Sequence, residues 1–347
     1  TGTVTADGKS IVSDPGVGIP KFCCGASFPA PRAAGAGGNG ADGGDGDGPK
    51  CGNPVDVATG NASVLEPKRF GINSLLPVNL SCNYRSTNPR VAFFGRGTSF
   101  SYDWFAEQVG SQAVRITTPQ GVSYMLSLGT DGVYRETTGR AGGLGMEVTP
   151  TSNGRTLTLK GGMQYDFDTA GRLIAIRDTS GNQITFQLDS LGYVQKVTDP
   201  VGRIYTFTTT RISIGRTIYT LATSITDALG RTVKFTYDTS ARLTAMTDAA
   251  NQTTSYAYDA NGRITQKTDP RNAITQYTYD ANGRTLEETL PDGSKYQFAY
   301  TVVGNTVTET RVTDPNGHTT TYRFNGQGYE ARRIDALGRI FKKDIDY

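Results

Sequence analysis

The sequence predicts an all-β fold, a long ribbon of antiparallel hairpins, and three observations carry that expectation. Tyr237-Asp238, Tyr258-Asp259 and Tyr279-Asp280 recur at intervals of 21 residues, and Phe167-Asp168 to Leu188-Asp189 is the same step upstream. A second marker, Asp227, Asp248 and Asp269, each after Thr, runs between them at the same spacing, so every unit holds two reversals. The composition agrees: 43 Gly and 15 Pro supply turns, while 18 Tyr and 14 Phe supply rings for half-buried strands.

The elements follow in chain order. Residues 1–34 read as a β-type arm, with Thr3-Val4-Thr5 and Ile11-Val12 on either side of Asp7-Gly8. Residues 35–50 read as a Gly/Asp-rich linker, since Gly35 to Gly48 holds eight Gly and three Asp. Residues 51–164 read as a leading β domain, with strands such as Ala113 to Thr117 and Arg155 to Leu159 and turns at Asp131-Gly132 and Asn153-Gly154. Residues 165–347 hold eight to nine repeat units.

One unit explains the rest. In Tyr277-Thr278-Tyr279 the two rings fall at i and i+2, on one side of a strand, with β-branched Thr between them. Asp280-Ala281-Asn282-Gly283 then reverses the chain, because Asp can accept from a backbone N–H two residues on, and Asn and Gly tolerate positive φ. Arg284 to Thr289 is the return strand, and in the preceding unit Asp269-Pro270-Arg271-Asn272 is the second reversal. The period slips twice. Seven surplus residues fall around Thr208 to Ser213, and Val303-Gly304-Asn305-Thr306 makes a longer hairpin. No convincing amphipathic helix is legible.

Charge and composition exclude several function classes. A net charge of +3 without blocks of like charge implies neither nucleic acid nor an anionic membrane as partner. No stretch reaches the eighteen apolar residues of a transmembrane helix. A single His rules out histidine-rich metal sites. The first residue is Thr1, which leads to the expectation of a processed product whose leader has been removed.

Candidate sites are few. His318, in Asp314-Pro315-Asn316-Gly317-His318, reads as a structural turn residue. Gly37-Gly38-Asn39-Gly40-Ala41-Asp42 begins a calcium-binding nonapeptide but then departs from it at Gly44, so Asp42, Asp45 and Asp47 form only a weak calcium candidate. Cys23, Cys24, Cys51 and Cys82 are even in number, and adjacent cysteines rarely bridge each other. Two disulfide connectivities stay open, Cys23 to Cys51 with Cys24 to Cys82 or the converse, ahead of a zinc site lacking its usual knuckles. The recurrent Tyr and Arg fit inter-strand packing better than base or sugar stacking. No Asp/Glu pair stands apart from the repeated turns to suggest a glycan hydrolase. We therefore expect no catalytic residues, no cofactor and no enzyme activity.

Tyr258-Asp259-Ala260-Asn261-Gly262-Arg263 and Tyr279-Asp280-Ala281-Asn282-Gly283-Arg284 resemble the YD repeats of bacterial Rhs shells, toxin-complex cocoons and teneurins. Gly52-Asn53-Pro54-Val55-Asp56-Val57-Ala58-Thr59-Gly60-Asn61, with Leu76-Pro77-Val78 and Tyr84-Arg85-Ser86, is similar to the domain that precedes the repeats in Rhs proteins. The resemblance implies a spiralling β-shell or stalk, secreted or at the bacterial cell surface. Its partner would be its own C-terminal toxin or cargo in a longer parent. The family's self-cleavage motif has no matching position here. The alternative is a self-assembling extracellular fibre or adhesin, a homo-oligomer in which the arm 1–34 donates a strand.

Overall fold

The computed structural model describes residues 50–51, 55–62, 75–136, 145–326 and 328–342, and all regular elements among them are strands. The arm, the Gly/Asp-rich linker, Asp42, Asp45, Asp47, Cys23 and Cys24 lie outside the described residues. Before residue 105 the strands are short: Lys50–Cys51 pairs with Val55–Asp56, Cys82–Tyr84 with Thr98–Phe100, and Val91–Ala92 with Gly95–Arg96.

From Phe105–Val109 to Ile340–Lys342 the chain forms one sheet of 23 strands in sequence order, each antiparallel to the next. No ladder joins the last of these strands to the first among the described residues. Instead the first strand falls back on a later turn, where the Ala106 N–H donates to the Gly171 carbonyl at 2.9 Å and Phe105 bridges Arg172. The sheet thus meets itself edge to turn and coils as a spiral, and it does not close as a simple barrel. Recurrent bulges supply the bend: register shifts fall before Tyr237, Tyr258 and Tyr279, one per unit.

The alternation of the repeats is the reason for their strand form. Thr253–Tyr258 and Ile274–Tyr279 bury every second residue, so one face turns to the core and the other to solvent. The inward rings Phe186, Phe207, Phe235, Tyr256, Tyr277 and Phe298 are all buried, at 21-residue steps with one step of 28. Full burial of such a ring contributes roughly 1.5–3 kcal/mol. The two slips are long hairpins, Ile204–Ile214 with Thr217–Thr226 and Lys295–Val303 with Thr306–Thr313.

Candidate functional site

Each Tyr-Asp unit builds the same polar clamp. Asp280 Oδ1 accepts from the Asn282 and Arg284 backbone N–H groups, both at 2.9 Å, and its Oδ2 accepts from Arg284 Nε at 2.6 Å. Asp238 with Arg242 and Asp259 with Arg263 repeat the pattern. Burial pushes the Asp238 carboxyl up, but the backbone and guanidinium bonds of Arg242 outweigh it and hold the group below the usual carboxylate range.

The clamp also links one unit to the next. Arg242, Arg263 and Arg284 lie over the rings of Tyr258, Tyr279 and Tyr300 at 5.4, 5.2 and 5.5 Å, within cation–π range. Each of those phenols donates back to the carbonyl of the residue after the Arg: Tyr258 to Leu243 at 2.7 Å, Tyr279 to Ile264 at 2.5 Å and Tyr300 to Thr285 at 2.7 Å. Burial raises the Tyr258, Tyr279 and Tyr300 phenols well above their ordinary range, so they stay protonated as donors. Sequence reasoning placed Arg284 on the return strand. The structure corrects this, since Arg284 closes the turn and the strand begins at Thr285.

The second construction is a seam between the leading segment and the inward face of the repeats. Trp104 meets Tyr165, Tyr102 meets Phe186, Phe93 and Phe100 meet Phe207, and Phe94 meets Phe235. Hydrogen bonds continue the series. Ala222 N–H donates to Phe93 O at 2.8 Å, Ile264 N–H to the fully buried Tyr84 hydroxyl at 3.0 Å, Thr285 N–H to Gly60 O at 2.9 Å and Thr310 Oγ1 to Val57 O at 2.6 Å. The described residues between 57 and 104 thus run backwards along the repeats, roughly one contact per unit. Gly60 has φ +73°, and a Cβ there would lie 2.6 Å from Arg284 Cβ, so only glycine fits this approach.

The seam also accounts for both slips in the period. The longer hairpin of Ile204–Ile214 presents Ala222 to Phe93, and that of Lys295–Val303 presents Thr310 to Val57. These two grips hold the leading segment at Phe93 and at Val57, a role that no local sequence signal announced.

His318 occupies a turn, with its N–H on Asp314 Oδ1 at 2.9 Å and Nδ1 3.4 Å from Asp314 Oδ2. Cys82 lies on Cys82–Tyr84 and is half-buried, with no cysteine partner among the described residues; burial pushes its thiol up. The Cys51 side chain, like Cys23 and Cys24, lies outside them. No group of three or more His, Cys, Asp or Glu that could hold a metal occurs among the described residues.

The family model "RHS Repeat" matches residues 167–204, 221–253, 242–274, 258–295 and 279–311. The model "Domain of unknown function (DUF6531)" matches 52–125, the leading segment and the first strands. No curated protein matches the chain. Among solved structures, the chain is similar to one described as "Crystal Structure of TcdB2-TccC3-Cdc42" at 10% identity and TM-score 0.30, covering 76% of this chain and 18% of that one. A Tc holotoxin pore of Photorhabdus luminescens matches at 15% identity and TM-score 0.31, covering 69% of this chain and 14% of that one. The chain therefore spans less than a fifth of these structures. The clamp repeated at Asp238, Asp259 and Asp280 and the two family matches are what assign it: the chain belongs to the Rhs/YD-repeat family.

Proposed function

We propose that this chain is a non-catalytic wall of a β-shell, working outside a bacterial cell or at its surface. The shell encloses or presents a C-terminal toxin or partner encoded beyond this sequence. The seam is the observation that carries the reading. The Tyr-Asp carboxylates are engaged by their own turns and inward rings such as Phe186, Phe207 and Phe235 by the leading segment, so the recurrent chemistry of the unit serves construction. The inward face also changes along the ribbon. The position opposite the inward ring is Val197 and Met246 early on, then Lys267, Glu288 and Arg333, with Val312 between the last two. Limited proteolysis of a parent chain that includes the residues after Tyr347 tests this: the downstream segment should resist cleavage that destroys it when expressed alone. Equal cleavage rates would overturn the reading.

A second reading is a fibre built by donation of the arm 1–34. It is favoured by the strand Ile340–Lys342, whose Ile340 and Phe341 are exposed at 50% and 44%. Exposed strand edges recruit partners. Deleting residues 1–34 should abolish assembly seen by light scattering, and a monomeric full chain at high concentration would exclude it.

A further inference from the structure

The outward face of the last strands carries cations that its neighbouring residues do not balance. Arg323 stands directly opposite Arg332, and Arg332 directly opposite Lys342, while Tyr322 and Phe324 on either side of Arg323 are buried. Directly opposed residues have Cβ atoms about 5 Å apart, and like charges so placed repel. At the same rung of earlier units Thr236 faces Ala245, Ala257 faces Gln266 and Thr278 faces Glu287. Glu309 holds Arg323 at 2.8 Å and Arg311 at 3.0 Å, whereas Glu330 stands opposite the buried Phe324 and so off the row. Arg332 Nε is buried without a hydrogen-bond partner among the described residues. Arg311, Arg323, Arg332 and Lys342 thus share the one carboxylate of Glu309, an excess of three positive charges.

The complementary charge is in the segment that precedes the first described strand. Residues 35–49 carry Asp42, Asp45 and Asp47 and no Lys or Arg, an excess of three negative charges. They lead into Lys50–Cys51, whose ladder sets Lys50 opposite Asp56, and the carbonyl of the next residue, Val57, accepts from Thr310 Oγ1 at 2.6 Å. Thr310 lies between Glu309 and Arg311 on Thr306–Thr313, so the linker departs beside the strand where the row begins. Its fifteen residues reach up to about 50 Å when extended. The four strands from Thr306–Thr313 to Ile340–Lys342 span only about 14 Å, which leaves length to pass round the rim from the inner face to the outer.

We propose that the Gly/Asp-rich linker docks on this row, with Asp42, Asp45 and Asp47 against Arg323, Arg332 and Lys342. The guanidinium of Arg332 offers a carboxylate a planar donor pair. The tether keeps the three acids at a high local concentration, so ion pairs that are weak singly act together. The contact ties the start of the leading segment to the last strands and carries the arm 1–34 to Ile340–Lys342. It lies on the outward face, so it is independent of what the inner face encloses.

Zero-length carbodiimide coupling of the full chain at low salt tests it, because that reaction joins only carboxylates and amines in contact. Peptide mapping should find Lys342 joined to Asp42, Asp45 or Asp47. Arg332→Gln leaves the amine, the tether and the Glu309 pair in place, and should cut that yield about threefold or more. Salt at about 0.5 M, where the screening length is about 4 Å, should do the same in the parent chain without any substitution. A thermal melt of the variant checks that the fold is kept. Asp344 and Asp346 follow the row in sequence, and Asp344→Asn with Asp346→Asn should not lower the coupling. A parent chain without the Lys342 product, an Arg332→Gln chain that couples as well, or a yield indifferent to salt would overturn the proposal. So would a product that forms only once Asp344 and Asp346 are replaced, which would mark those two acids as the partners of the row.

Discussion

At the scale of the residue, the Asp of each Tyr-Asp unit does most of the local construction. Asp259 Oδ1 takes two backbone N–H groups and Oδ2 takes Arg263, so Asp259→Ala strips three bonds at once. At about 1 kcal/mol for each neutral bond and more for the charged one, the variant should lose about 3 kcal/mol in urea denaturation. Tyr279→Phe removes only the phenol bond to Ile264 and should lose about 1 kcal/mol. Unequal costs in that order are the expected outcome, and equal costs would contradict the clamp. Acid should act on the same groups. For Asp199 and Asp227, as for Asp238, burial raises the carboxyl but the backbone and Arg bonds outweigh it and lower the group overall. A carboxyl lowered on folding contributes stability that is present above its unfolded value, about 4, and is lost as pH falls through the folded one. The urea midpoint should therefore fall below about pH 4 but not between pH 7 and 5, where the buried Asp103, raised to about 6, adds stability as it takes up its proton; a decline between pH 7 and 5 would contradict the sign. The Asp-to-backbone bond was legible in Asp280-Ala281-Asn282-Gly283, because it is local. The stacking of Arg263 on Tyr279 was not, because its partners are sixteen positions apart and meet only when the units pair.

At the scale of the element, the hairpin was fully legible and the leading segment was not. Strict alternation in Thr-Tyr-Ala-Tyr-like runs fixes a strand wherever one face is buried, and Ala113–Thr117 appears as the sequence predicts. Among the described residues, those between 55 and 104 form only strands of two or three residues, since their role is to lie against other strands. Gly60 is the sharpest handle on that contact. Gly60→Ala adds positive-φ strain of about 1 kcal/mol and a Cβ that Arg284 and Tyr300 must move to admit, so a loss of at least about 2 kcal/mol is expected in urea. A neutral effect would mean that the segment can lift off the repeats. The arm adds one further expectation. Non-reducing peptide mapping should find Cys51 and Cys82 each linked to the Cys23-Cys24 pair, and four free thiols or bound zinc would reject the pairing.

At the scale of the whole molecule, a repeat sheet in strict chain order has no long-range instruction to curl beyond its twist and bulges. The leading segment supplies one by laying residues 104 to 57 against successive units from Tyr165 to Thr310. Sequence alone revealed the period and both slips, and the reason for the slips appears only when Phe93 and Val57 are seen at the two long hairpins. The most direct test is native-state hydrogen exchange at Ala222, Ile264 and Thr285. Their amides donate to Phe93 O, Tyr84 Oη and Gly60 O on the leading segment, and not to a neighbouring strand of the sheet. The spine account predicts that all three are as protected as ladder amides such as those of Thr253–Tyr258, and that all three lose protection together in Gly60→Ala. Exchange at the rate of exposed turns in the parent chain, or independent loss at the three sites, would contradict it.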